Sequence, residues 1–207
     1  MKKILFMLVA VFVCTTISAQ LITSTTYRSE KSKTLWYIKG GLTMNKFTGD
    51  GVEVDGKAGY NIGIAFDRPI GGSGVFWGMG LQLASKGYKT GDSDGYETKL
   101  KANKLEIPLN IGYKYNVNDD VAVDARIGGF VNYDVFGKMT ASYEGEEEST
   151  NLGDLEDYDR FGAGIQFGVG VWYQRINFNI TYQKGLLSQI ADIAKESNWM
   201  LSIGYAF

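Results

Sequence analysis

Acidic side chains are the groups in this chain whose type and density could support chemistry. The densest run covers residues 143–148 and continues with Asp154, Glu156, Asp157 and Asp159. Carboxylate oxygens bind hard cations, but this run lacks the regular D-x-D-x-D-G spacing of a calcium loop. We interpret it as a solvated acidic loop, with cation binding or partner binding as the functional alternative.

Two smaller acidic sets have weaker chemical signatures. The segment D-S-D-G at residues 92–95 hints at calcium, although Asp-Gly is equally typical of a tight turn. Glu106 and Asp124 could form a catalytic carboxylate pair, but nothing in their spacing selects them. The sequence therefore predicts no catalytic residue, no cofactor-binding residue and no metal site.

Composition excludes several classes of mechanism. The 207 residues include no histidine, which rules out a Ser-His-Asp triad and a His-bearing zinc site. The single cysteine, Cys14, excludes a disulfide framework and a cysteine-built metal cluster. A net charge of −2 is too balanced for a nucleic-acid-binding protein. The 27 glycines, 2 prolines and 14% aromatic residues favour an all-β chain.

The first segment predicts export from the cytoplasm. Lys2 and Lys3 form a positive start, residues 4–13 form an apolar core, and Ser18-Ala19 resembles a cleavage site. We predict a signal peptide over residues 1–19 and a disordered periplasmic lead-in over residues 20–34. The remaining residues, 35–207, form a single predicted domain.

That domain alternates between apolar and polar residues at the period of a β-strand. The clearest run is residues 105–115, in which Leu105, Ile107 and Leu109 share one face and Glu106, Pro108 and Asn110 the other. Proline removes one ladder hydrogen bond, so we interpret Pro108 as a local bulge on the interior side. Eight strands are predicted: 35–44, 60–66, 75–88, 105–115, 121–133, 161–171, 176–182 and 199–207.

The connections between the predicted strands alternate in length. The long ones are 45–58, 89–100, 136–158 and 184–197, and the short ones are 68–74, 116–120 and 172–175. Such alternation is typical of an eight-stranded antiparallel up-and-down transmembrane barrel with short periplasmic turns and longer outer loops. Within the last long connection, residues 186–196 could form a short amphipathic helical turn over the barrel rim.

The polar face of the strands indicates a membrane barrel in preference to a soluble one. That face is dense in glycine and amide side chains, whereas a solvated strand face would be dominated by Lys and Glu. Glycine suits the narrow interior of an eight-stranded barrel. Charges in the same register should pair inside the lumen, because a buried charge is costly without a partner. The predicted lumen charge network is Lys39, Asp67, Lys86, Glu106, Lys114, Asp124, Arg126, Asp134 and Arg160.

Specific segments resemble a known family. The segment L-E-I-P-L at residues 105–109 is similar to a strand of the PorT-like outer-membrane β-barrel family, and Y-Q-K-G-L at residues 182–186 resembles that family's Y-x-x-G-L. The resemblance implies an outer-membrane location, an eight-stranded barrel and, for most members, no chemistry. The final strand resembles the C-terminal insertion signal of outer-membrane barrels, with Trp199, Leu201, Ile203, Tyr205 and Phe207 on one face.

We therefore expect an outer-membrane barrel with a structural or binding role through its outer loops, without catalysis and without an open pore. The expected partners are outer-membrane lipid, the barrel-assembly machinery, and a protein or glycan at the outer loops, but no nucleic acid. Three alternatives remain: a narrow channel or transporter, a component of a secretion or assembly system, and a membrane-embedded hydrolase or acyltransferase that uses lumen carboxylates.

Overall fold

The computed structural model describes residues 33–49, 52–91, 96–143, 146–151, 160–187 and 194–207. These residues form nine β-strands and no helix, so no described helix is long and apolar enough to cross a membrane. The predicted signal peptide, the lead-in up to residue 32 and the segment 92–95 lie outside the described residues. The strands are β1 (Leu35–Gly49), β2 (Val52–Pro69), β3 (Val75–Gly91), β4 (Tyr96–Asn116), β5 (Val121–Tyr143), β6 (Glu146–Asn151), β7 (Phe161–Tyr173), β8 (Ile176–Gly185) and β9 (Ala194–Ala206).

Eight of these strands close into one antiparallel barrel. From β1 to β5 each strand pairs with the next, β5 then pairs with β7, and β8 and β9 complete the ring by returning to β1. Strand β6 lies outside the ring, and its pairing within the described residues is with the far end of β5. The predicted eight-stranded up-and-down barrel is therefore confirmed.

Apolar side chains cover the outside of the barrel and polar side chains fill its interior. Leu109 and Ile203 expose 52% and 58% of their surface, whereas Glu106 is fully buried and Ser202 exposes 8%. A wall of exposed Leu, Ile, Val and aromatic side chains around a polar interior is the reverse of a water-soluble protein. This arrangement is the one that a barrel in a lipid bilayer requires.

Several strands are longer than a membrane crossing requires. Strand β4 has 21 residues and β5 has 23, whereas about 9–11 residues cross a bilayer. The segments 45–58, 89–100 and 136–158, predicted as long loops, largely continue as paired strands in their described parts, so that prediction is wrong. The apolar alternation ends at the edge of the lipid-facing band, whereas the backbone pairing of the strands continues beyond it into water. The end with these extensions is the outer end, and the end with short turns is the periplasmic end.

Pro108 lies on the lumen side but does not form the predicted bulge. Strands β3 and β4 keep their register on both sides of it, with Met79 opposite Leu109 and Gln82 opposite Glu106. The proline therefore interrupts the ladder without an extra residue. A neighbouring glycine makes room for it, since a Cβ on Gly80 would lie 3.3 Å from the Pro108 ring.

The predicted helical turn over residues 186–196 is also wrong where the structure describes it. Strand β9 begins at Ala194, and residues 188–193 lie outside the described residues. Residues 194–198 pair with Asn45–Gly49 of β1, which supplies the hydrogen bonds that a helix would have formed internally.

Candidate functional site

The lumen contains two groups of charged side chains, one near each end. Near the periplasmic end is the Arg126 cluster, formed by Tyr37, Asp67, Asp124, Arg126 and Trp172. The Arg126 guanidinium lies 2.8 Å from an Asp124 oxygen and 3.4 Å from an Asp67 oxygen. It also donates to the Tyr37 hydroxyl at 3.0 Å, and the Trp172 indole N–H donates to Asp124 at 2.6 Å. The two carboxylates thus share one guanidinium, and each also accepts a hydrogen bond from a neutral donor, Tyr37 for Asp67 and Trp172 for Asp124.

Near the outer end is the Lys86 cluster, formed by Lys86, Lys104, Glu106, Asp134 and Glu196. The Lys86 ammonium lies 2.8 Å from Glu196 and 3.5 Å from Glu106. The Lys104 ammonium lies 3.0 Å from Glu196 and 3.7 Å from Asp134. Lys86, Lys104 and Glu106 each expose 1% or less of their surface. Charges this deeply buried are tolerated because each has an opposite charge in contact.

Amide side chains connect opposite walls of the barrel between the two clusters. Gln183 of β8 donates to Glu106 and to Gln166 of β7, the latter at 3.0 Å. Gln166 in turn donates to Asn110 of β4 at 2.6 Å. Gln82 of β3 donates to the same Glu106 oxygen at 2.6 Å. These bonds join strands on different sides of the lumen into one polar network.

Little space remains inside. The lumen contains a cavity of about 20 Å³, whose lining includes Lys39, Asp67, Pro108, Arg126 and Gln166. A cavity of this size accommodates about one water molecule. The interior is therefore a packed polar core between the two charged clusters.

The predicted lumen charges occupy three kinds of position. Six of them form ion pairs: Asp67, Lys86, Glu106, Asp124, Arg126 and Asp134. Lys114 stacks its ammonium 3.9 Å from the centroid of the Trp172 ring, and Lys39 lines the cavity. Arg160 lies at the outer rim, where its backbone carbonyl accepts from the N–H of Asp134. Its side chain has no ion pair among the described residues.

Two members of the Lys86 cluster were missed by the sequence analysis. Lys104 directly precedes the alternating run 105–115, and Glu196 lies in a segment predicted as a loop. Extending each run backwards in register would have placed both on the lumen face, because Lys104 shares the parity of Glu106 and Glu196 shares that of Ser202. The register also places the neutral partners in the lumen, because Tyr37 shares the parity of Lys39 and Trp172 shares that of Gln166.

The described acidic side chains of the lumen are engaged by donors within the protein. No group of three or more acidic, cysteine or histidine side chains among the described residues is placed to bind a metal ion. Glu106 and Asp124, considered above as a catalytic pair, belong to different clusters, and each accepts hydrogen bonds from amide, indole or guanidinium donors. These carboxylates are committed to partners within the protein.

The residues proposed as an insertion signal form an outward stripe on β9. Trp199, Leu201, Ile203, Tyr205 and Phe207 expose between 48% and 63% of their surface. The residues between them, including Met200 and Ser202, face the lumen and are buried. The stripe is thus accessible on the barrel exterior.

Comparison with known protein families identifies the family of this chain. A family model described as outer membrane protein beta-barrel domain matches residues 19–190. The chain belongs to this family. Its location is accordingly the outer membrane, in agreement with the apolar wall and the polar lumen described above.

Solved structures with similar backbones cover most of the chain. The Yersinia pestis attachment invasion locus protein Ail has 19% identity and a TM-score of 0.46, over 84% of this chain and 99% of Ail. The outer membrane protein OprG from Pseudomonas aeruginosa has 12% identity and a TM-score of 0.46, over 85% and 97%. Neisserial surface protein A has 11% identity and a TM-score of 0.44, over 83% and 97%. No curated protein sequence matches the chain.

Proposed function

We propose that this protein is a plugged outer-membrane barrel that acts through its outer surface, by binding, and neither conducts solutes nor catalyses a reaction. One observation carries the proposal: ion pairs and amide hydrogen bonds cross the lumen at successive levels. Glu106 alone accepts from Gln82 and Gln183 and lies beside Lys86. A solute would have to break this network to pass.

The strand extensions supply a surface suited to binding. In β4 the lipid-facing run ends at Leu105, and residues 96–104 continue beyond it as strand. Part of the predicted acidic loop is also strand, because Glu146–Asn151 forms β6 on the outer end of β5. A paired, protruding sheet presents side chains in fixed positions at lower entropic cost than a mobile loop.

Planar-bilayer recording tests the proposal directly. The purified full-length barrel should give no discrete conductance steps under conditions in which a general porin conducts. Steady, reproducible steps from the wild-type protein would instead support a narrow channel or transporter.

A variant in which charged lumen side chains are shortened to alanine serves as an internal control. Replacing Lys86, Glu196, Asp67 and Arg126 by alanine removes one opposite-charge pair from each cluster and leaves the net charge unchanged. If this variant still migrates on gels as a folded, heat-modifiable barrel, it should conduct. The matched surface variant Lys101→Ala should remain closed like the wild type.

We also propose that this protein belongs to the PorT-like outer-membrane barrels. Its support is the position of the resembling segment in the lumen wall: within residues 105–109, Glu106 joins the Lys86 cluster and Pro108 lines the cavity beside Gly80. Such members would connect the barrel to secretion or assembly. Deleting the protein and measuring the surface delivery of secreted proteins distinguishes this role, because a binding barrel without it would leave that delivery unchanged.

A further inference from the structure

Three lysines form a transverse row on the outside of the barrel near its outer end. Lys57 of β2 is opposite Gly87 of β3, which is opposite Lys101 of β4, which is opposite Lys138 of β5. Directly opposed residues of antiparallel strands project to the same face of the sheet. Lys57, Lys101 and Lys138, here called the lysine row, are all exposed.

The row lies just beyond the lipid-facing band. In β4, the outermost apolar residue of that band is Leu105, and Lys101 follows four residues further out. At a strand tilt of about 40° and a rise of about 3.3 Å per residue, this separation is about 10 Å along the membrane normal. Phe136, two residues before Lys138, exposes 56% of its surface between the two levels. Aromatic side chains mark the membrane interface, so the row lies at the depth of lipid headgroups.

Among the side chains that the structure describes, none supplies an anionic partner to the ammonium groups of the row. Their side chains form no hydrogen bond or ion pair with another described side chain, and the Asn45 amide donates to the backbone carbonyl of Lys57, not to its ammonium. Lys101 and Lys138 are directly opposed, and like charges in that position destabilise a sheet. Strand spacing of about 4.8 Å places the two charges close enough for one anion to contact both.

We propose that the lysine row binds phosphate groups on the headgroups of phosphorylated glycolipid in the outer leaflet. A lysine ammonium is a compact charge with three donors, which suits phosphate oxygens. The row faces sideways from the barrel wall at headgroup depth, which favours a lipid over a soluble anion. The inference rests on the outer-membrane location and is independent of whether the lumen is closed.

The test compares thermal unfolding of the refolded full-length protein in two kinds of vesicle. One contains phosphatidylcholine alone, and the other also contains diphosphorylated lipid A. Heat-modifiable gel mobility gives the unfolding midpoint. For the wild type, lipid A should raise the midpoint, and high salt should reduce the rise because it screens the contacts.

Charge-matched variants identify the residues responsible. The double variant Lys101→Gln/Lys138→Gln should lose at least half of the lipid A-dependent rise, whereas Arg68→Gln/Lys184→Gln, which removes the same charge from isolated exposed positions, should keep it. Lys101→Arg/Lys138→Arg should also keep it, since the charge remains. An equal rise in all three double variants overturns the proposal, as does an equal rise with dephosphorylated lipid A or with inorganic phosphate added to phosphatidylcholine vesicles.

Discussion

Arg126 shows how single residues keep the lumen of this barrel charged and yet stable. Its guanidinium contacts carboxylates from β2 and from its own strand, β5, and also donates to the Tyr37 hydroxyl of β1. A guanidinium presents several donors in a planar fork, so one side chain can satisfy all three acceptors. The residue therefore ties together walls of the barrel that are far apart in sequence.

Removing Arg126 should destabilise the barrel strongly. Arg126→Ala removes the guanidinium that contacts the buried Asp67 and Asp124 carboxylates, and the expected loss is about 3–5 kcal/mol of unfolding free energy. Urea unfolding of the detergent-solubilised protein measures this loss, with tryptophan fluorescence as the signal because Trp172 packs in the same cluster.

Two further variants control that measurement. Arg68→Ala, at an exposed position, should change the unfolding free energy by less than about 0.5 kcal/mol. Adding Asp67→Asn and Asp124→Asn to Arg126→Ala should recover part of the loss, because the variant then no longer buries two negative charges without their guanidinium. If Arg126→Ala and Arg68→Ala unfolded at the same urea concentration, the ion pairs would not be stabilising as described.

At the scale of elements, the pairing of β1 with β9 closes the barrel and leaves little space for side chains. Gly41 of β1 lies between Ser202 of β9 and Asn61 of β2 and faces the lumen. A Cβ at this position would overlap the Leu201 carbonyl oxygen and lie 2.7 Å from the Cα of Ser202. Adjacent Gly40 faces outward, where a Cβ would meet the Asn61 carbonyl oxygen at 3.5 Å, an ordinary contact.

These adjacent glycines provide a matched pair of substitutions. Gly41→Ala should lower the unfolding free energy by about 1–3 kcal/mol, because β1 and β9 must separate to admit the methyl group. Gly40→Ala should change it by less than about 0.5 kcal/mol. Urea unfolding in detergent micelles measures both changes. Equal destabilisation by the two variants would contradict the close packing of β1 against β9.

The sequence predicted the elements wherever lipid contact dictated the pattern. Alternation assigned Glu106 and Asp124 to the interior and Leu109 to the exterior. This worked because lipid contact makes one face of each strand apolar. Alternation did not predict the outer extensions of the strands, and therefore did not place Glu196 in the lumen. These extensions lie outside the lipid, so no face of them has to be apolar. Alternation also could not assign the partner of Arg126, since Asp67 lies 59 residues away and their contact depends on the register of several strands.

At the scale of the whole molecule, the outward stripe on β9 is the feature that we expect to act during insertion. Phe207 donates its backbone N–H to the Trp36 carbonyl at 3.0 Å, while its ring exposes 63% of its surface. A side chain so exposed contributes little to the interior. We expect it instead to be recognised during insertion by the barrel-assembly machinery.

Separating recognition from folding tests this role. Phe207→Ser should lower the amount of protein in the outer membrane of cells several-fold, because the final strand loses its terminal aromatic residue. The same variant should refold from urea into detergent micelles with nearly wild-type yield, since the backbone hydrogen bond is retained. A parallel fall in refolding yield would assign Phe207 to stability instead, and Tyr115→Ser, at an exposed aromatic position of β4, controls for loss of any such ring.

The hydrogen-bonded pairing of β1 with β9 also determines when the molecule can reach its final form. Residues 35–49 obtain their second neighbour from residues 194–206, so every strand in between must be synthesised and exported first. During that interval the amides along one side of β1 are unsatisfied and open to misassociation. A product of premature termination would keep that edge permanently, which makes such fragments natural substrates for periplasmic chaperones and proteases.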